Sequence, residues 1–187
     1  LTWSPQYCRG RDGAGDRFQC GGNARFGLML HGLWPDGAGR QWPQYCAPTG
    51  IVPRKLVGEM LCTTPSADLI QHEWAKHGTC GWKEPSAYFA QARRLYQALR
   101  MPDMVALSRR PALTVGALRD AFVAANRHVP GLTAASVRVR MTREGWFDEL
   151  WLCLDRDFRY APCRAGQQGG REASRRIAIW RGALNGR

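Results

Sequence analysis

Val137-Arg138-Val139-Arg140-Met141 is the stretch at which the pattern of the chain changes. Val137, Val139 and Met141 alternate with two arginines, the period of two that belongs to a strand with one buried face. Upstream, apolar residues recur at three and four instead. Tyr88, Phe89, Ala92, Leu95, Tyr96 and Leu99 make one stripe of a helix that starts at Pro85-Ser86 and runs through Arg100. Leu118, Phe122 and Ala125 make another, with Thr114 as its cap. Arg54 to Cys62 reads as a short helix ended by Thr63-Thr64-Pro65, and Ser66 or Asp68 could cap the helix that follows.

Downstream of Met141, Glu144-Gly145 is the expected turn into a strand from Trp146 to Asp155. Residues 164–175 read as a polar, Gly-rich loop, and Arg176 to Trp180 as a last strand. At the other end, residues 1–7 open as a strand that ends at Pro5, and residues 8–25 are a Gly/Asp/Arg-rich loop. Phe26-Gly27-Leu28-Met29-Leu30 is a short apolar strand, and residues 32–53 are irregular, with Pro35, Pro43, Pro48 and Pro53 blocking any helix. Helices occupy the middle and strands the two ends. The expected fold class is therefore α+β, a central antiparallel sheet with helices packed to one side, stabilised by disulfides.

The 187 residues suit one domain. No apolar run approaches the ~20 residues needed to span a bilayer. Leu1-Thr2-Trp3 reads as the inside of a strand rather than as a signal peptide, as expected of a mature or trimmed product. The net charge is +12 and the pI near 10.1, which suits a polyanionic partner that Lys and Arg attract. Lysine occurs only at positions 55, 76 and 83.

The seven cysteines, at 8, 20, 46, 62, 80, 153 and 163, contain no CxxC or CxxH pair, so a structural zinc site is not expected. Scattered cysteines in a basic domain of this size point to disulfides and an oxidising compartment. Local spacing favours Cys8–Cys20 and Cys153–Cys163, and Cys46–Cys80 would then tie two histidine-bearing segments together. Cys62 is the leftover thiol, with Cys20–Cys62 as the alternative.

Three of the four histidines lie in those two segments. One is His31, which follows the strand 26–30 directly. The other is His72-Glu73-Trp74-Ala75-Lys76-His77-Gly78-Thr79-Cys80. On a helix with His72 at zero, Lys76 falls near ~40°, Glu73 near ~100° and His77 near ~140°. The polar groups share one side, and Trp74 and Ala75 are free to pack on the other. Gly78 supplies the stop.

A metal pincer needs imidazoles at i and i+4, whereas these stand five apart with an ammonium beside them. A polar network on a helix surface is the bland reading, and it leaves His31 unexplained. General acid–base catalysis on a phosphodiester uses all of these groups. One imidazole takes a proton from an attacking hydroxyl, another protonates the leaving oxygen, and cations steady the phosphoryl oxygens. RNA carries its own nucleophile, the 2′-hydroxyl. His128, at a helix end beside Pro130, reads as a dipole partner or a surface residue.

His31-Gly32-Leu33-Trp34-Pro35 and His72 to Cys80 resemble the two signature segments of the T2 family of secreted ribonucleases, in order and at about the family's separation. Trp3-Ser4-Pro5-Gln6-Tyr7-Cys8 resembles that family's opening strand, and Cys153-Leu154-Asp155 with Cys163 its late disulfide segment. The resemblance fades after about residue 163.

It implies that His77 is the general base, that His31 is the general acid, and that His72 holds the phosphate. Glu73 and Lys76 would stabilise the transition state. The implied products are 2′,3′-cyclic phosphate ends, made without cofactor or metal. Trp34 resembles a base-stacking residue of the family, Asp36 can accept from a base amino group, and Trp42 stands where the family often has a stacking Tyr, so specificity should be broad. Packing is the competing reading for both tryptophans.

The implied protein is a secreted or periplasmic monomer that acts on RNA, binds DNA weakly if at all, and does not cut it. The other reading is a basic RNA-binding or toxin-like protein. Many relatives join their late strands to the tail through another cysteine pair that is missing here, which leaves the last ~20 residues weakly anchored.

Overall fold

The computed structural model describes residues 1–11, 16–21, 25–37, 42–164 and 172–182. Its sheet has four antiparallel strands in the order β2-β1-β4-β3, where β1 is Thr2–Trp3, β2 Leu28–Met29, β3 Val137–Met141 and β4 Phe147–Leu152. The alternating stretch is β3, paired with β4 so that Val139 faces Leu150 and Arg140 faces Glu149. Gly145 closes the hairpin at φ +88°, a conformation that favours glycine.

Thr2 pairs with Met29 on one side and Glu149 on the other, so one residue joins the two halves of the sheet. Alternation then sorts the faces. Trp3, Leu28, Val137, Val139 and Leu150 turn to a buried core. Thr2, Glu149, Trp151, Arg138 and Arg140, out of step with them, share the opposite face.

The core face is covered by α6 (Met104–Ser108) and α7 (Val115–Ala125), through Met104, Leu107, Leu118 and Phe122. Thr114 caps α7, accepting from Ala117 N–H at 3.2 Å. A second apolar cluster joins α3 (Arg54–Met60), α4 (Ala67–Lys76) and α5 (Pro85–Gln97) through Met60, Ile70, Trp74, Tyr88 and Phe89 around Leu30. Ser66 proves to be the cap of α4, its hydroxyl accepting from Leu69 N–H at 3.2 Å, while Asp68 lies in the first turn. The disulfides are Cys8–Cys20, Cys46–Cys80 and Cys153–Cys163, and Cys62 is an exposed free thiol.

Several expectations are corrected. The opening strand ends at Trp3, because Pro5 has no N–H for a ladder and its fixed φ suits the first turn of α1 (Ser4–Tyr7). A helical turn, α2 (Arg17–Cys20), lies inside the first disulfide loop. The short α6, capped by Asp103, was not anticipated, since five residues are too few to show a helical period.

The last strand is instead a run of single bridges, Arg176 to Thr114 and Ala178 to Trp146. Those bridges bury Ile177 and Ile179, and Trp3 Nε1–H donates to Trp180 O at 2.6 Å. Residues 172–182 are therefore tied to the core without a fourth disulfide, contrary to the weak anchoring expected of the tail. Most of the expected loop at 164–175 lies outside the described residues. His128 is exposed, and its Nε2 lies 3.0 Å from Ala98 O, at the C-terminus of α5 rather than of the helix it follows.

Candidate active site

His31 stands where β2 runs out, and both backbone groups of Leu30 are held. Leu30 N–H donates to Thr63 O at 3.0 Å, and Leu30 O accepts from the Thr64 hydroxyl at 2.9 Å. The imidazole is thereby fixed on the open face of the sheet beside Thr2 and Glu149. Its Nδ1 lies 2.9 Å from Glu149 Oε1 and 3.0 Å from Thr2 Oγ1. Its Nε2 lies 3.5 Å from Glu73 Oε1.

Gly32 lets the chain pass over Glu73, for a Cβ there would sit 1.8 Å from Glu73 Oε2 and 2.8 Å from Trp34 Nε1. The next turn is fastened by Leu33 N–H, which donates to the buried Tyr88 hydroxyl at 3.1 Å. Burial pushes that hydroxyl's pKa well above the usual phenol range.

Glu73 reaches the cleft from α4. It is 2 % exposed, and its Oε2 accepts from Trp34 Nε1–H at 2.6 Å. Burial raises its carboxyl pKa, an effect partly opposed by His31, the indole N–H and Lys76. His77 caps the same helix, its N–H donating to Glu73 O at 3.0 Å. The helical-wheel reading sets Glu73 and His77 on the side away from Trp74 and Ala75, the residues expected to pack. Both are buried instead, because the segment 31–34 lies across that side of the helix.

His77 Nδ1 has no hydrogen-bond partner among the described residues. Its ring pKa is pushed down to about 4, by burial first and then by the positive charges of Lys76, His72 and His31. His72 is exposed, and its pKa is also lowered, by burial, Lys76 and His31.

One indole joins these groups. The Trp34 ring centroid lies 5.0 Å from that of His31 and 5.5 Å from that of His77. The two imidazoles are thus neighbours of a single side chain. Cys46–Cys80 fastens the segment that bears Tyr45 to the turn after α4. Tyr45 N–H donates to Lys76 O at 2.9 Å, Cys46 N–H donates to Thr79 Oγ1 at 3.2 Å, and the Tyr45 ring stands edge-on to His72 at 6.5 Å.

The structure therefore brings together His31, His72, Glu73, Lys76, His77 and Trp34. Asp36 pairs with Arg164 at 3.6 Å, and Trp42 is 58 % exposed. Sequence reasoning missed Glu149, Trp151, Thr2 and Tyr45. The available signal was the polar half of an alternating strand, where Glu149 and Trp151 stand two apart. Among the described residues, no three His, Cys, Asp or Glu side chains form a group that could hold a metal ion. One imidazole lies between two carboxylates and the other among cations, a division that suits proton donation by the first and acceptance by the second.

The family model described as the Ribonuclease T2 family matches residues 1–163. A protein of Haemophilus influenzae named "Probable ribonuclease" is 31% identical over 177 residues, which are 88% of this chain and 59% of that protein. An Aeromonas hydrophila protein named "Ribonuclease" is 35% identical over 112 residues, 60% of this chain and 49% of its own. The chain thus spans about half to three fifths of the length of these relatives. Among solved structures, the self-incompatibility-associated SF11-RNase of Nicotiana alata superposes with TM-score 0.66 at 17% identity, over 95% of this chain and 94% of that one. RNase NT, solved with 5′-AMP, superposes with TM-score 0.63 at 21% identity over the same shares. These two likenesses establish the fold.

Proposed function

The chain belongs to the Ribonuclease T2 family, and from that premise we propose that it is a metal-independent endoribonuclease that cleaves single-stranded RNA by transesterification. The observation that carries this reading is the contrast between His31 and His77 across Trp34. A general base must be unprotonated at working pH, and His77, its pKa held down to about 4, meets that condition.

In the proposed reaction His77 takes the proton of the 2′-hydroxyl. The 2′-oxygen bonds to phosphorus, the bond from phosphorus to the 5′-oxygen breaks, and His31 protonates that oxygen. The products are a 2′,3′-cyclic phosphate and a 5′-hydroxyl. His72 holds the phosphate, Lys76 offers positive charge to the phosphoryl oxygens, and Glu73 holds the site together through Trp34 and His31.

Base recognition falls to Trp34, Asp36 and Trp42, with the Tyr45 ring beside His72 as a further aromatic face, and stacking makes specificity broad. The relative solved with 5′-AMP agrees with a site that takes a nucleotide. Three disulfides favour a secreted or periplasmic setting. The chain acts as one ribonuclease domain and a monomer. No helix among the described residues is long and apolar enough to cross a membrane.

The test is incubation of the purified protein with single-stranded RNA and with DNA of the same sequence, with and without EDTA. The expected result is cyclic-phosphate ends from RNA in both cases and no cut in DNA, which lacks the attacking hydroxyl. His77→Ala should lose at least about 100-fold in kcat. Cleavage of DNA, loss of activity on chelation, or an active His77→Ala protein each overturns the mechanism. A basic RNA-binding or toxin-like protein would bind RNA without yielding cyclic ends.

A further inference from the structure

His31 has two faces, and only one points at the cleft. The Nε2 face looks toward Glu73 and the space beside Trp34. The Nδ1 face looks back into the sheet, onto a carboxylate carried by β4 at a sequence separation of 118 residues. That carboxylate is itself held. Its Oε2 accepts from Trp151 Nε1–H at 2.8 Å, and its Oε1 accepts from the Thr2 hydroxyl at 3.3 Å. A carboxylate only accepts, so the 2.9 Å contact requires the proton to be on Nδ1.

We propose that Glu149 is the positioning residue of this site: it fixes His31 in the tautomer with Nδ1 protonated, so that Nε2 alone exchanges a proton with substrate. The inference rests on the ribonuclease reading for its catalytic consequence, but its structural half stands apart. When His31 gives the Nε2 proton to the departing 5′-oxygen, the ring is left neutral, with its remaining proton still on Nδ1 and still bound to Glu149. Glu149 itself takes no proton; it orients the ring and steadies the imidazolium from which the proton leaves, as a carboxylate does behind a catalytic histidine in general. Burial alone would raise the Glu149 carboxyl pKa, but bonds from His31 and Trp151 outweigh it and hold the group down at about 2, so it stays ionised across the working range.

Thr2 and Trp151 complete the device. Thr2 is the residue that joins β1 to both neighbouring strands, so the pairing that closes the sheet also sets the carboxylate against the imidazole. Trp151 is edge-on to Trp34 at 5.5 Å, which links the support of His31 to the indole that faces both imidazoles.

The experiment is Glu149→Gln, with Thr2→Val as its companion. Side-chain 15N NMR reads the tautomer of neutral His31, with its signals assigned by their absence in His31→Ala. Steady-state cleavage of a dinucleoside phosphate gives kcat and KM. Gln keeps the shape and can turn its amide N–H toward Nδ1, so the neutral ring should move from Nδ1–H to Nε2–H. Then kcat should fall at least about tenfold, with KM within about twofold. Thr2→Val leaves the carboxylate in place and should keep the Nδ1–H form.

An unchanged tautomer in Glu149→Gln overturns the proposal, whether or not kcat falls, because a loss without it marks a merely structural role. A changed tautomer with kcat intact overturns it as well. If the wild-type protein cuts no RNA, the ribonuclease reading fails, and the tautomer comparison still decides whether Glu149 positions the ring.

Discussion

At the scale of single residues the site is sensitive in two ways. Gly32 has no room for a side chain, since a Cβ would overlap a carboxylate oxygen that is itself buried. Gly32→Ala should displace Glu73 and Trp34 together. The expected outcome is a loss of at least about tenfold in kcat with a cost in stability of about 1–3 kcal/mol, the usual range for overpacking, checked by kinetics beside thermal unfolding.

The second sensitivity is electrostatic. After burial, Lys76 is the largest influence that lowers the His77 pKa. If His77 is the base proposed above, active only when neutral, the acid limb of kcat/KM should fall near pH 4 in the wild type. Lys76→Ala removes a positive neighbour, so the proton binds His77 more tightly and that limb should move to higher pH, besides any loss of rate. A pH–rate profile of the two proteins checks the direction. The same depression bears on stability. Between about 4 and the ordinary histidine value of 6.5, the unfolded chain holds a proton at His77 that the folded chain does not, so this group's contribution falls as pH drops through that window.

At the scale of elements, α4 carries His72, Glu73 and Lys76 of the proposed site, is capped by His77, and is fastened at both ends. Ser66 caps its start, and Cys46–Cys80 ties the turn after it to the segment that bears Tyr45. The bridge closes a separation of 34 residues. Replacing both cysteines by alanine should cost about 2–4 kcal/mol in denaturant unfolding. Activity should also fall, because Tyr45 and the Lys76 carbonyl lose their common anchor. Gly78 adds a packing constraint beyond that of a helix stop: a Cβ there would come within 2.3 Å of the Trp74 ring and 3.1 Å of Tyr88. A glycine that sequence patterning reads as a terminator is also a point of close approach between α4 and α5.

At the scale of the whole molecule, the charge of +12 would attract the polyanionic substrate proposed above. Part of it is spread along the open face of the sheet, where the Arg138 and Arg140 guanidinium carbons lie 5.3 and 4.8 Å from the Trp151 ring centroid, on the same face as Glu149. kcat/KM for long RNA should therefore fall steeply with salt. Arg140→Ser should raise KM, leave kcat intact and lower the slope of log(kcat/KM) against log salt by about 1. Activity measured from low to moderate salt on both proteins checks this.

Local pattern by itself determined a good deal. The change of period at Ser136 separated strands from helices, Thr114 set where α7 begins, and cysteine spacing favoured Cys8–Cys20 and Cys153–Cys163, which left Cys46–Cys80 as the remaining pair; the structure decided for Ser66 as the α4 cap and against Cys20–Cys62. The cluster from His72 to His77 was legible because its members are neighbours in the chain, and His31 because it follows an apolar strand.

Tertiary structure alone decided the rest. Glu149 lies 118 residues from the ring it supports, and nothing within either segment encodes their meeting. His77 is buried because residues 31–34 cross the helix, a contact no helical wheel contains. The tail is held through Ile177, Ile179 and Trp180 by a core assembled from distant strands. The physical reason is the same in each case. Periodicity records which way a side chain points relative to its own element, while burial and proton affinity depend on what other elements place against it.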